Sequence, residues 1–236
     1  MEILRSLLFV PGNRFLMIEK ARHISVDALV LDLEDSVPAA EKRAAALEVR
    51  DAIPTVSMRR QKVYVRVNSL ATGLTAEELE IVTGPGLDGI CLPKVTSPED
   101  IHQVEAVLAP LEKKRGLHPG HIRIIPWIET ARGLLRPYDI ASASPRVVAV
   151  SYGAEDFTLD MGITRTLEGT ESFVPRATVA IAARAAGVLA LDSPYPDFKN
   201  EAGLIKDAQA VRGLGYSGKF AVHPDQIAPL NRVFAP

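Results

Sequence analysis

The chain is expected to fold as a closed (β/α)8 barrel, a single domain over residues 1–236, and three observations point there. Eight short apolar runs rich in β-branched residues recur along its length. Each passes through a polar or Gly/Pro turn into a stretch rich in Ala, Leu, Glu and Lys, so strand and helix signals alternate. The runs are apolar nearly throughout, as strands of a parallel sheet covered on both faces are. Eight such units in 236 residues suit one barrel. An open doubly wound sheet is the alternative, weakened in its dinucleotide-binding form because no Gly-x-Gly-x-x-Gly follows the first run.

The first run, SLLFVPG at 6–12, leads into a helix opened by Asn13 and Arg14. The second, ALVLDLED at 28–35, ends in Glu34 and Asp35, ahead of a helix carrying Lys42 and Arg43. The third, VYVRVN at 63–68, alternates and places Arg66 and Asn68 at its end. The fourth, GICLPKV at 89–95, delivers Lys94. A helix is predicted next, from Pro98 to about Arg115, with Ser97 as N-cap, Pro98 at its first position and basic residues in its last turn. The fifth run, IRIIPWIET at 122–130, closes on Glu129, with Thr130 as the cap of a helix. The sixth, VVAVSYGAED at 147–156, reaches Glu155 and Asp156. Residues 158–174 then read as a long polar loop, at the site mouth or between subunits, before a helix from Pro175 to Ala186. The last two runs, GVLALD at 187–192 and KFAVHPD at 219–225, end at Asp192 and His223, the histidine being either a strand-end cap or a neighbour of substrate.

A formal charge of −2 argues against a nucleic-acid-binding surface, which needs a basic excess. The single cysteine, Cys91, excludes a disulfide within the chain and reads as a small buried hydrophobe. No run approaches the ~18 apolar residues of a membrane span, and 7–10 is too short for a signal-peptide core, so a cytoplasmic protein is expected.

In such barrels the active site is built at the carboxyl ends of the strands. Glu129 and Asp156 follow neighbouring runs, so their carboxylates can converge. Two close carboxylates need a cation or a shared proton. Without thiols or paired histidines nearby, a hard, oxygen-preferring ion such as Mg2+ is favoured, with ion pairs to Arg66 or Lys94 as the other solution. Arg66 suits bidentate capture of a substrate carboxylate. Glu34 and Asp35 are read as supports that hold Arg66 or a metal-bound water. Lys94 as a Schiff-base nucleophile is disfavoured, because a metal would make it redundant. Arg14 and Lys20, near a helix start, either hold phosphates of a carrier molecule or form a solvated face.

LLFVPGNR, ALVLDLEDSV, VYVRVN, LPKV, IETARG, GAEDF and AVHPDQI, in this order and spacing, resemble the citrate lyase β-subunit family within the wider group of Mg2+-dependent malyl-CoA lyases and related aldolases. The resemblance covers essentially the whole chain. It implies a lyase that cleaves or forms a carbon–carbon bond in a 3-hydroxy-acyl thioester, of citryl, malyl or citramalyl type, on coenzyme A or an acyl carrier. The products would be a 2-oxo acid such as oxaloacetate and an acetyl thioester. On that footing Glu129 and Asp156 hold Mg2+, Arg66 and Glu129 contact the 2-oxo acid, and Arg14, Lys20 and Asp192 lie along the coenzyme A path. A homotrimer or larger ring, or a place beside other lyase subunits, is also implied. The alternatives are a metal-dependent aldolase on free 2-oxo acids and a non-catalytic subunit that binds a 2-oxo acid or coenzyme A. Relatives usually continue into lid helices beyond the AVHPDQI motif, whereas this chain stops at Pro236, so the lid is expected to be missing here and the acid/base is left unassigned.

Overall fold

A computed structural model describes residues 3–58 and 61–236. Eight parallel strands close on themselves in sequence order: β1 (Ser6–Pro11), β2 (Ala28–Asp32), β3 (Lys62–Arg66), β4 (Gly89–Leu92), β5 (Arg123–Ile128), β6 (Ala149–Tyr152), β7 (Leu189–Asp192) and β8 (Gly218–Ala221). Pairing of Leu7 with Phe220 joins the first strand to the last. Around them run α1 (Phe15–Ala21), α2 (Lys42–Val56), α3 (Thr75–Val82), α4 (Pro98–Lys114), α5 (Ala131–Leu134), α6 (Pro137–Ala141), α7 (Ala154–Asp160), α8 (Thr170–Ala186), α9 (Glu201–Gly213) and α10 (Ile227–Val233). The expected (β/α)8 barrel is the fold observed.

Alternate residues of each strand point to opposite faces, and the barrel sorts them. Leu7, Val30, Tyr64, Cys91, Trp127, Leu191 and Phe220 belong to one buried cluster drawn from the strands, which fills the interior. Their chain neighbours, such as Leu29, Val63, Val65 and Ala190, belong to a second cluster shared with the helices. Both faces are apolar, which accounts for the continuous runs in the sequence. The position of each residue within its strand therefore decides whether a polar group at the strand's end faces the cavity or the helix layer.

Helix signals hold in α4, where Ser97 and Asp100 form a reciprocal capping box. The expected loop over 158–174 and helix start at Pro175 need correction. Helix α7 runs to Asp160 and α8 already begins at Thr170, after Gly169 in a left-handed conformation, leaving 161–169 as the irregular segment. Pro175 lies inside α8 rather than at its start, and Ser172 ahead of it is buried, its hydroxyl accepting from Tyr152. Tertiary packing thus recruits a polar stretch into the helix. Among the described residues, no helix is long and apolar enough to cross a membrane.

Candidate active site

On β2, Val30 faces the barrel interior, so Asp32 two residues later does too; on β3, Tyr64 does the same for Arg66. Asp32 and Arg66 are register partners across the two strands. Asp32 Oδ1 accepts from Arg66 Nε at 2.7 Å and Oδ2 accepts from Nη2 at 2.8 Å, a bidentate pair. The Glu34 N–H (2.9 Å) and the Ser36 hydroxyl (2.6 Å) donate to the same carboxylate. Burial alone would raise the Asp32 pKa, but the Arg66 bonds and these donors hold it below the usual carboxylate range. Arg66, though disfavoured as a cation by its burial, is held firmly charged by Asp32, Glu34 and Asp35. Its Nη1 lies 3.1 Å from both Glu34 Oε2 and Asp35 Oδ2, and its Cζ sits 4.5 Å over the Phe9 ring. The guanidinium has one place to be.

On β5, the interior position of Trp127 sets that of Glu129, which is 2 % exposed. Its Oε1 accepts the backbone N–H of Lys94 at 2.6 Å. Lys94 supplies that N–H from φ 55°, the only left-handed conformation among the described residues other than glycine. A non-glycine residue held there costs roughly 1–3 kcal/mol, which the surrounding fold must offset. The Lys94 ammonium lies 2.8 Å from Glu34 Oε1 and 3.2 Å from Asp156 Oδ2. Gly153, just after β6, leaves room for the Glu129 head: a Cβ there would come within 2.4 Å of Oε2. Asp156 reaches the rim from the first turn of α7, because β6 stops at Tyr152 rather than carrying the carboxylate at its own end.

Burial, with the charges of Glu34 and Asp156 adding to it and Lys94 opposing, pushes the Glu129 carboxyl up to about 8. Burial also raises Glu34, against the pull of Arg66 and Lys94. The site therefore holds more negative charge than its fixed cations neutralise. A divalent cation between Glu129 and Asp156 would correct that. Among the described residues no group of three or more His, Cys, Asp or Glu side chains is placed to enclose a metal. Two carboxylates facing open space suit Mg2+, which keeps positions for water and substrate oxygens, and do not suit a closed structural site.

Asp32, Asp35, Arg66, Glu129 and Asp156 line one cavity of about 510 Å3, with Phe9 and Trp127 and, on another wall, Ser193, Pro194, Pro196 and Val222. Glu34 stands behind that lining and ties Arg66 to Lys94. Arg14, just before α1, and Lys20, in its last turn, are exposed and outside the lining. The expected place of Asp192 on the carrier path needs correction. Leu191 faces inward, so Asp192 faces the helices, fully buried, where it accepts from Arg176 at 3.0 Å through both oxygens and pairs with Lys219. His223 caps the short turn after β8, its Nδ1 accepting from the Asp225 N–H.

Two participants carry no clear signal in the sequence. Asp32 sits inside the apolar run ALVLDLED, and the one cue to its facing the cavity is its parity with Val30, which Glu34 shares and Asp35 does not. Arg165 comes from the irregular segment 161–169 and lines the cavity without any strand to announce it.

Comparison with known proteins supplies independent context. Residues 5–224 match the sequence profile of the HpcH/HpaI aldolase/citrate lyase family. The citrate lyase subunit beta of Escherichia coli (strain K12) is 37% identical over 232 residues, covering 98% of this chain and 77% of that protein. A structure described as citrate lyase beta subunit complexed with oxaloacetate and magnesium, from M. tuberculosis, superposes with a TM-score of 0.82 at 30% identity, covering 99% of each chain. Another from Mycobacterium tuberculosis, in complex with magnesium, acetoacetate and coenzyme A, gives a TM-score of 0.81 at 32% identity over 98% of this chain and 80% of the other.

Proposed function

The chain belongs to the HpcH/HpaI aldolase/citrate lyase family, and from that premise we propose that it is a Mg2+-dependent carbon–carbon lyase acting on a 3-hydroxy-acyl thioester of the citryl, malyl or citramalyl type. The observation that carries the reading is the pairing, in one cavity, of an under-neutralised Glu129–Asp156 carboxylate couple with a rigidly held Arg66. The relatives in complex with magnesium, with oxaloacetate and with coenzyme A support it.

Glu129 and Asp156 would hold Mg2+, which when bound polarises the oxygen on the carbon that becomes the keto carbon of the 2-oxo acid. Arg66 presents its guanidinium to the acid's carboxylate and steadies the oxyanion that develops as the carbon–carbon bond breaks. Asp32 fixes the Arg66 rotamer in advance, so no ordering is left for the transition state. Phe9 and Trp127 exclude water from the floor, strengthening each of these contacts. As the hydroxyl gives up its proton and its carbon becomes the keto carbon, the bond electrons pass to the acetyl thioester as its enolate, which takes up a proton in turn, so the step is proton-neutral.

Arg14 stands exposed just before α1, three residues after Pro11 at the cavity edge, where a phosphate-bearing carrier can lie, and Lys20 stands exposed in the last turn of that helix. The whole chain would act as one domain and as a cytoplasmic homo-oligomer, a trimer on the family resemblance. Phe173, Val174 and Ile181 support the oligomer, since they leave an apolar strip on α8 that is 60–70% exposed. The deciding experiment is a turnover assay of purified protein with Mg2+ and citryl-CoA or malyl-CoA, reading 2-oxo acid release. Cleavage that disappears in Glu129→Gln supports the lyase; binding without turnover would overturn it in favour of a non-catalytic subunit.

A further inference from the structure

One wall of the cavity carries two hydrogen-bond donors that this reaction scheme leaves unused. Ser193 follows β7 on the inward side set by Leu189 and Leu191 and lines the cavity. It is 2 % exposed, and among the described residues its Oγ has no hydrogen-bond partner. A buried hydroxyl left so is destabilising, a cost that a ligand oxygen accepting from it would remove. Arg165 lies beside it, its Nη2 donating to the carbonyl of Pro194, the next residue, at 3.2 Å. Its Nη1 pairs with Glu155, an exposed carboxylate whose hold solvent screens. Two of the five guanidinium donors are thus engaged and the rest remain available. Arg66, by contrast, already faces three carboxylates.

We propose that Arg165 and Ser193 form a subsite for a second carboxylate on the 2-oxo acid, so that the cavity selects a dicarboxylic 2-oxo acid over its monocarboxylic counterpart. The proposal rests on the lyase reading and names the substrate class within it. A guanidinium edge beside a hydroxyl offers a carboxylate several directed donors. The rest of this wall is Pro194, Pro196 and Val222, so a carboxylate placed there without Arg165 would be desolvated with no opposite charge. A monocarboxylic acid would gain nothing from either donor. Selection would arise because one acid satisfies the Ser193 hydroxyl and the other leaves it orphaned.

Trp127, the single tryptophan, lines the same cavity and reports its occupancy by fluorescence. Mg2+-loaded protein would be mixed by stopped flow with fresh oxaloacetate or with pyruvate, read before oxaloacetate decarboxylates. We expect oxaloacetate to bind at least about tenfold more tightly, Arg165→Gln to lose about tenfold for oxaloacetate, and Ser193→Ala about three- to tenfold, with pyruvate within about twofold throughout. Ser193→Ala removes one atom and leaves segment 161–169 in place, so it keeps the test decisive if Arg165→Gln loosens that segment. Equal binding of the two acids by the unaltered protein, or a parallel loss of both acids in the variants, would overturn the subsite while leaving the lyase reading standing. Failure of both acids to bind in the presence of Mg2+ would overturn both.

Discussion

Lowering the pH from 8 to 6 should weaken Mg2+ binding about fiftyfold, with Glu129 as the cause. A metal ligand must be deprotonated, and this carboxyl is pushed up to about 8 by burial and by the charges of Glu34 and Asp156. At pH 6 about one molecule in a hundred has Glu129 ionised, against about half at pH 8, and the ratio is about 2.3 kcal/mol of binding free energy. The ion must therefore displace about 0.9 proton per site at pH 7. Isothermal calorimetry in two buffers of different ionisation enthalpy measures affinity and proton release together. The same shift has a stability consequence of definite sign. Because the folded pKa lies above the unfolded one, Glu129 contributes stability that is complete below about pH 4.5 and is lost as pH rises through about 8. Metal-free protein should therefore lose melting temperature between pH 6 and 8 more than Glu129→Gln does. An affinity flat over this range, with no proton released, would refute the reasoning.

Three further outcomes are expected from the geometry. Gly153→Ala should cut Mg2+ affinity at least about tenfold by forcing the Glu129 head away from a Cβ 2.4 Å off, and should also lower the melting temperature, because that Cβ lies 2.9 Å from Glu129 Cβ and 3.1 Å from the Trp127 ring. Arg66→Lys cannot reproduce the two bonds to Asp32 and should lower kcat/KM about a hundredfold while calorimetric Mg2+ affinity stays within about threefold. Asp192→Asn leaves Arg176 and Lys219 with Asp207 as their one shared counter-charge, so one buried cation is uncompensated, and should destabilise by about 3–5 kcal/mol in denaturant titrations, leaving the KM for thioester unchanged in whatever protein remains folded.

Asp32 and Asp192 show where the sequence stops being legible. Both are aspartates at the last position of a strand, yet one anchors Arg66 in the cavity and the other is sealed beneath α8 and α9. In a strand buried on both faces no polar alternation marks the inward side, so a one-residue difference in phase stays hidden until the barrel closes. Glu129 could be read because IRIIPWIE carries a single carboxylate, at its end. The eight runs and the Thr130 cap, which accepts from the Gly133 N–H at 3.0 Å, were legible for the same local reason. Lys94 was visible as a charge, but its left-handed backbone and the N–H it lends to Glu129 depend on contacts 35 residues apart. Arg165 depends on where an irregular segment comes to rest, which no periodicity records.

The two faces of each strand also divide what mutation can reach. On β7, Leu191 can change the packing of the barrel interior and Ala190 the grip of the helices, and the two positions belong to different clusters. A combinatorial library randomised at alternate strand positions would thus search chemistry while holding the scaffold, or search the scaffold while holding chemistry. Deleting a single strand residue would exchange the two sets at once.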